Sequence, residues 1–218
     1  KDRRITINGE VTTKKDIHIN IDIDTVAVDG QTVNTTQLYY VKFHKPKGYV
    51  TAVEDSTHPV VMDLLPPEYL KMGVVPVGRL DKDTEGLLLI TNDGELAHNL
   101  LAPKKHVDKT YYARAAGRIK EEAIKLFADG LHVDDEFTAL PAKLELNGYN
   151  DKDNYTDVII TIHEGKFHQI KRMFEAVGSE VLYLKRLRMG SLVLDETLKP
   201  GEYRTLTQKE IDELYNCN

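Results

Sequence analysis

Hydrophobic and polar positions follow strand-like and helix-like spacings in turn along most of the chain. Aromatic and β-branched residues predict strands at 38–43, 111–117, 157–162 and 181–187, and the apolar run at 87–90 predicts a strand in the core. Helical spacing predicts helices after Gly94, between Ile119 and Gly130, at 166–177, and after Thr207, which has capping-box spacing with Glu210. This order predicts an α+β fold with a mixed, largely antiparallel central sheet flanked by helices.

The first 36 residues follow a different pattern of short strands and turns. Residues 5–7 and 26–28 are β-branched or apolar at alternate positions, and Asn-Gly or Asp-Gly turns follow at 8–9 and 29–30. Between them, residues 16–22 alternate polar and apolar positions as a strand would. We therefore expect residues 1–36 to form a small unit before a main domain at 37–218.

Composition narrows the class of protein. With 218 residues and 41% hydrophobic content, the chain can bury a sizeable core. Its single cysteine, Cys217, offers no internal disulfide and no cysteine metal site, so we expect a reducing, cytoplasmic setting. No segment reaches the length of a membrane span, and we expect no membrane association. The net charge of −6 argues against an indiscriminate nucleic-acid binder.

Asp81 is the first candidate for chemistry. It lies between Arg79 and the buried-strand run at 87–90, and a loop carboxylate beside a rigid strand is a plausible nucleophile. By composition alone the same segment also fits a solvated charged turn, since Asp83 and Glu85 follow closely.

The helix predicted at 166–177 has two distinct faces. At 100° per residue, Ile170, Met173, Phe174 and Val177 converge on an apolar face. His168, Lys171 and Arg172 fall on the opposite half, which without further information is a solvated basic face.

Three motifs occur together in order: Gly-Arg-Leu-Asp at 78–81, Lys-Thr-Tyr at 109–111, and Glu-Gly-Lys-Phe-His-Gln-Ile-Lys-Arg-Met-Phe at 164–174. Together they resemble the motifs of the RsuA-type pseudouridine synthases. The resemblance implies the pseudouridine synthase catalytic fold for 37–218. Ile-Thr-Ile-Asn-Gly at 5–9 and Val-Ala-Val-Asp-Gly at 26–30 also resemble the C-terminal part of the RNA-binding module named for ribosomal protein S-four.

The resemblance implies roles for individual residues. Asp81 would be the nucleophile, Lys171 would pair with it and keep it ionised, and Tyr111 would stack on the target uracil. The loop at 44–49 is similar to the Asn-Lys-Pro-x-Gly loop of the family, with His44 in place of asparagine. The substrate-binding residues implied by the resemblance are Arg79, Leu80, Lys109, His168, Gln169, Arg172, Leu184, Arg186, Arg188, Lys45 and Lys47.

The activity implied is the isomerisation of a uridine to pseudouridine in ribosomal RNA, without metal or other cofactor. The string His-Gln-Ile-Lys-Arg-Met at 168–173 is most similar to the branch that acts on 16S rRNA. The expected partner is 16S rRNA or a small-subunit assembly intermediate, and the expected state is a monomer. The alternatives are a 23S rRNA synthase of the same family, a non-catalytic RNA-binding or ribosome-assembly factor, and a glycosidic-bond hydrolase that uses Asp83 or Glu85 as a second carboxyl group.

Overall fold

The computed structural model describes residues 4–14, 16–20, 23–33, 37–135 and 137–217, and these form two compact units, Lys1–Leu38 and Tyr39–Asn218. The predicted domains 1–36 and 37–218 therefore include some residues outside the described ones. Within the described residues, no helix is long and apolar enough to cross a bilayer.

The first unit is a four-stranded antiparallel sheet in the order β2-β1-β3-β4. Its strands are β1 (Ile5–Ile7), β2 (Glu10–Thr12), β3 (Val26–Val28) and β4 (Gln31–Val33). Two tight turns make its hairpins, and Asn8 and Asp29 have positive φ angles of 52° and 51°, which these residue types tolerate. The strand suggested by residues 16–22 is wrong for 16–20, which have no regular structure, and residues 21–22 lie outside the described ones.

The second unit is built on a nine-stranded mixed sheet in the order β11-β12-β8-β13-β7-β5-β15, with β6 paired to β7 and β14 to β13. Only β13 and β7 pair in parallel among the described strands, which confirms the largely antiparallel sheet. The strands of this unit, with the separate β9–β10 hairpin, are β5 (Tyr40–Lys45), β6 (Val75–Val77), β7 (Glu85–Thr91), β8 (Lys109–Ala116), β9 (His132–Asp134), β10 (Phe137–Thr138), β11 (Lys143–Asn150), β12 (Tyr155–Ile162), β13 (Val181–Met189), β14 (Leu192–Val193) and β15 (Tyr203–Thr205).

Helices flank this sheet near the positions that the sequence predicts. They are α1 (Pro67–Lys71), α2 (Gly94–Leu101), α3 (Glu122–Asp129), α4 (Gln169–Ala176) and α5 (Gln208–Tyr215), with 3₁₀ turns at Val61–Leu64 and Pro103–Lys105. The capping box of Thr207 and Glu210 and the end of α3 at Gly130 are confirmed. One expectation is wrong. Helix α4 begins at Gln169, three residues later than predicted, because His168 has a left-handed backbone with φ 49°. On α3, Leu126 is 49% exposed.

Strand β7 is buried on both faces, which explains its unbroken apolar run. Leu87 and Leu89 pack in one apolar cluster, and Leu88 and Ile90 pack in another. Gly86 precedes them with φ +110°, and an added Cβ there would lie 2.2 Å from the backbone oxygen of Arg186. Only glycine permits so close an approach of β7 to β13. This contact lies at the start of β7, directly after the Asp81 loop.

A third cluster packs α3 and α4 against β8, β11, β12 and β13, and includes Leu80, Tyr111 and Leu184. It brings the three motifs to one end of the sheet. Phe127 of α3 and Phe174 of α4 meet here with ring centroids 5.4 Å apart. The basic face of α4 is therefore held over the Asp81 loop by packing on its apolar face.

Candidate active site

The Asp81 loop joins β6 to β7, and buried side chains hold its backbone. The hydroxyl of Thr51 donates to the carbonyl oxygen of Leu80 at 2.8 Å and accepts from the Leu80 amide at 3.1 Å. The ammonium of Lys45 donates to the carbonyl oxygens of Asp81 at 3.0 Å and Thr84 at 2.8 Å. The main chain on both sides of the Asp81 carboxylate is thus fixed by hydrogen bonds within the core.

Lys45, which the resemblance places among the substrate-binding residues, is bonded within the protein instead of lying open to solvent. Lys45 is fully buried, and its ammonium also contacts the carbonyl oxygens of Pro46 and Lys82. Burial lowers the pKa of Lys45 to about 8, although the negative charges of Asp83, Asp81 and Glu85 oppose this shift. The other lysine of this loop, Lys47, is exposed and lies 4.5 Å from the ring centroid of Tyr183.

The Asp81 carboxylate faces two groups from the motif at 164–174. The Nζ atom of Lys171 lies 3.4 Å from Asp81 Oδ2, and Nε2 of His168 lies 3.6 Å from Asp81 Oδ1. The Asp81 side chain is 29% exposed, so the carboxylate is held but accessible. The structure thus brings Asp81 together with residues 87 and 90 positions away in the sequence, of which the resemblance implies the pairing with Lys171 only.

Lys171 binds a second carboxylate more closely. Its ammonium donates to both oxygens of Asp83, at 2.7 and 2.9 Å, and so lies between Asp83 and Asp81. Sequence reasoning named Asp83 only as a possible second acid for hydrolysis and missed this contact. The spacing Asp-x-Asp was the available signal, because a turn can direct both side chains toward one cation.

The pKa values of Lys171 and Asp83 shift in opposite directions. Burial alone would lower the pKa of Lys171, but the hydrogen bond to Asp83 and the charges of both carboxylates outweigh it and raise that pKa. Burial would raise the pKa of Asp83, yet the ammonium of Lys171 lowers it below its ordinary value. The ionised state of the pair is therefore stabilised at neutral pH.

A pocket opens directly beside Asp81. Leu80, Tyr111 and Leu184 form its apolar walls and are each less than a tenth exposed. Further lining residues are Arg79, Thr84, Ile162, Gly165, Lys166, His168, Gln169, Ile170 and Lys171. A flat aromatic side chain and two leucines next to a carboxylate make a pocket suited to a planar heterocycle. The next residue on β8, Tyr112, is half-buried, and its hydroxyl donates to Asp157.

Several residues expected at the substrate are held by the protein itself. Arg186 is 1% exposed, and its Nε donates to the carbonyl oxygen of Leu87 at 2.8 Å. Lys109 is 8% exposed and donates to the carbonyl oxygen of Val107 at 3.0 Å; burial lowers its pKa. Both side chains thus turn inward from buried strand positions and bind backbone oxygens, and their contact with substrate stays a prediction.

The remaining expected residues differ in their accessibility. Gln169 is 3% exposed and donates to Glu164 at 2.8 Å, so it braces the turn before α4. Arg172 bonds to Asp134 at 3.0 Å, an internal partner that sequence reasoning did not supply. Arg79 and Arg188 are exposed, and Nε of Arg188 donates to the carbonyl oxygen of Gly190.

No group of three or more His, Cys, Asp or Glu side chains within the described ranges could hold a metal ion. The site brings together a carboxylate, its ammonium partner and a pocket with an aromatic wall. Such a site is typical of the class of enzymes that act on a planar ring.

Comparison with known proteins agrees with this class. The sequence profile of the RNA pseudouridylate synthase family matches residues 39–176. YtzG of Bacillus subtilis, described as an uncharacterized RNA pseudouridine synthase, is 46% identical over 207 residues, 95% of this chain and 86% of its own. Ribosomal small subunit pseudouridine synthase A of Vibrio parahaemolyticus is 39% identical over 217 residues, 99% and 91% of the two chains. A crystal structure of a pseudouridylate synthase has a TM-score of 0.73 at 35% identity, covering 97% of this chain and 89% of that one.

The chain belongs to the RNA pseudouridine synthase family. It is an isomerase that forms pseudouridine in RNA.

Proposed function

We propose that this enzyme converts one uridine of 16S rRNA to pseudouridine, with Asp81 as the nucleophile. The observation that carries the proposal is the position of the Asp81 carboxylate. It lies at the edge of a pocket walled by Tyr111 and Leu184, within 3.4 Å of the Lys171 ammonium.

The reaction places definite demands on the site. The bond from N1 of uracil to the sugar breaks, the base turns, C5 bonds to the sugar, C5 loses a proton and N1 gains one. No electrons are exchanged. An ionised Asp81 supplies the attacking oxygen, and Lys171 keeps it ionised as the pocket fills and water leaves.

The pocket supplies the second requirement, which is to hold a detached base. Extrusion of a uridine from folded RNA costs a few kcal/mol, which stacking on Tyr111 partly offsets. Leu80 and Leu184 offer apolar contacts that leave the ring free to turn. Tyr111 is only 7% exposed, so its ring keeps a fixed orientation.

Accessible cations around the pocket supply contacts to phosphate. Arg79 lines the pocket, and Lys47 and Lys82 line an adjoining groove that also reaches Asp81. All three side chains are exposed. The choice of 16S rRNA is supported by the names of relatives from Vibrio parahaemolyticus and Escherichia coli, both ribosomal small subunit pseudouridine synthase A.

The test incubates the enzyme with full-length 16S and 23S transcripts and maps pseudouridine chemically in each. We expect one modified site in 16S rRNA and no release of uracil. Modification of 23S rRNA alone would overturn the substrate assignment. Free uracil in the reaction would instead indicate hydrolysis of the glycosidic bond.

We also propose that the first unit, Lys1–Leu38, is part of an S-four-type module that adds RNA affinity, and that the enzyme is a cytoplasmic monomer. The two hairpins with Asn-Gly and Asp-Gly turns support the first point. Sedimentation of the purified chain at micromolar concentration tests the monomer directly.

A further inference from the structure

Phe167 is unusually open for a large aromatic side chain. Its side chain is 73% exposed, whereas the other four phenylalanines, Phe43, Phe127, Phe137 and Phe174, are buried. Its ring lies on the His168 ring, with centroids 3.8 Å apart and an angle of 17° between planes. Since His168 covers one face, the high exposure belongs to the opposite face, which is flat, apolar and without a cover.

The stacked rings of Phe167 and His168 lie beside the pocket that contains Asp81. His168 lines both the pocket and the adjoining groove, and its Nε2 atom lies 3.6 Å from Asp81 Oδ1. Phe167 lines neither of them and adjoins them through its stack on His168. A ligand on the open face of Phe167 would lie just outside the pocket that receives the target base.

The turn that carries the two rings is held in one conformation. His168 has φ 49°, a left-handed angle that few residues other than glycine adopt, although asparagine, aspartate and histidine adopt it more often than most. The buried side chain of Gln169 accepts from the Lys166 amide at 2.9 Å and donates to Glu164 at 2.8 Å. A costly backbone angle that persists under such bracing is typical of functional sites.

We propose that the open face of Phe167 stacks on a nucleobase of the RNA adjacent to the target uridine. This inference rests on the proposed function and names the part of the RNA that this surface recognises. A base beside an extruded uridine loses one stacking neighbour, and a protein ring at the pocket mouth replaces it. The exposed cations Arg79 and Lys82 near the pocket favour a nucleic-acid strand over an apolar protein segment on this face.

A fluorescent variant tests the contact. The chain has no tryptophan, so Phe167→Trp introduces a single reporter. Titration with full-length 16S and 23S transcripts should quench this tryptophan, with saturation at the RNA concentration that saturates binding. The matched control is Leu126→Trp on the exposed side of α3, which should not respond. Unchanged emission from the tryptophan at 167 on saturation with RNA would overturn the inference.

Affinity provides the second measurement. Phe167→Ala should weaken binding to the transcript about fivefold to a hundredfold, the usual effect of losing one base–aromatic stack. Phe167→Tyr should restore affinity, whereas Phe167→Leu, which is apolar but not planar, should not. If alanine binds RNA as tightly as phenylalanine, no base stacks here.

A purely structural role for Phe167, in which it only orients His168, predicts a different result. In that case Phe167→Ala would lower kcat and leave KM and RNA affinity unchanged, and this outcome would contradict stacking.

Pseudouridine formation by the wild-type enzyme is measured on the same transcripts, so that failure of the stacking inference and failure of the proposed function can be distinguished. Quenching in Phe167→Trp, together with a wild type that binds RNA but forms no pseudouridine, contradicts the proposed function only. An active wild type, together with no quenching in Phe167→Trp, contradicts the stacking inference only.

Discussion

Two lysines contact the Asp81 loop, and their surroundings differ. Lys45 is fully buried and binds backbone oxygens of the loop, including those of Asp81 and Thr84. Lys171 is one-fifth exposed and binds carboxylates. Burial lowers the pKa of Lys45 to about 8, whereas the paired carboxylates raise the pKa of Lys171.

This difference separates two tasks that the site must perform. A buried cation that binds main-chain carbonyl groups fixes where the loop lies. An accessible cation that binds side-chain carboxylates balances their charge at the pocket. We therefore expect substitutions at Lys45 to affect stability, and substitutions at Lys171 to affect activity.

The largest effect is expected for Lys45→Met. The substitution leaves buried carbonyl oxygens without a donor, and we expect a loss of about 3 kcal/mol in the free energy of unfolding. Urea denaturation measures it. The control is Lys125→Met, which removes an exposed lysine paired with Asp129 and should cost less than about 0.5 kcal/mol. Equal stability of the two variants would show that Lys45 does not hold the loop.

The pKa of Lys45 adds a pH dependence to this loss. Its pKa is about 8 in the folded protein and 10.5 in the unfolded chain, so the unfolded chain binds more protons in this window. The Lys45 contribution to stability is therefore complete above 10.5 and is lost as pH falls through 8. The stability advantage of wild type over Lys45→Met should increase by on the order of 2 kcal/mol from pH 8 to 10.5. An advantage that is constant or falls over this range would contradict the assigned shift.

Lys171→Met tests the expectation that the accessible lysine affects activity rather than stability. Without the ammonium, the Asp81 carboxylate loses its neighbouring positive charge, and we expect pseudouridine formation to slow by about tenfold or more, roughly 1.4 kcal/mol. Urea denaturation should show stability within about 1 kcal/mol of wild type, because the lost pair is partly exposed. Lys171→Arg keeps the charge and should retain more activity. Near-normal turnover by the methionine variant would remove the proposed role of Lys171.

Asp83→Asn should have the smallest effect. It removes one of two carboxylates on Lys171, and we expect kcat/KM to fall about threefold, less than for Lys171→Met. Because Asp83 helps to raise the pKa of Lys171, loss of activity on the alkaline side should begin at lower pH in this variant. The matched control is Asp129→Asn on α3. An alkaline limit identical to wild type would show that Asp83 does not tune Lys171.

The sequence was most informative where local pattern determines structure. The run at 87–90 predicted a buried strand, and the capping box at Thr207 predicted the start of α5, because both depend on neighbouring residues. The central residues Asp81, Tyr111 and Lys171 came from a resemblance, and the packing of α4 and β8 brings them to one pocket.

Contacts between distant segments could not be predicted from the sequence. Lys45 resembles any exposed loop lysine until carbonyl oxygens 36 to 39 residues away surround its ammonium. Arg186 and Lys109 likewise seemed available to RNA, but their strand positions face inward. The pairing of Lys171 with Asp83 also depends on the tertiary approach of α4 to the loop.

The most direct test of the account is pseudouridine formation by Asp81→Asn on 16S rRNA. The substitution keeps the size and the backbone contacts of Asp81 and removes only the charge and the nucleophilic oxygen. We predict no detectable pseudouridine, with RNA affinity and unfolding free energy close to those of wild type. Pseudouridine formation by this variant at the wild-type rate would contradict the central claim that Asp81 carries the chemistry.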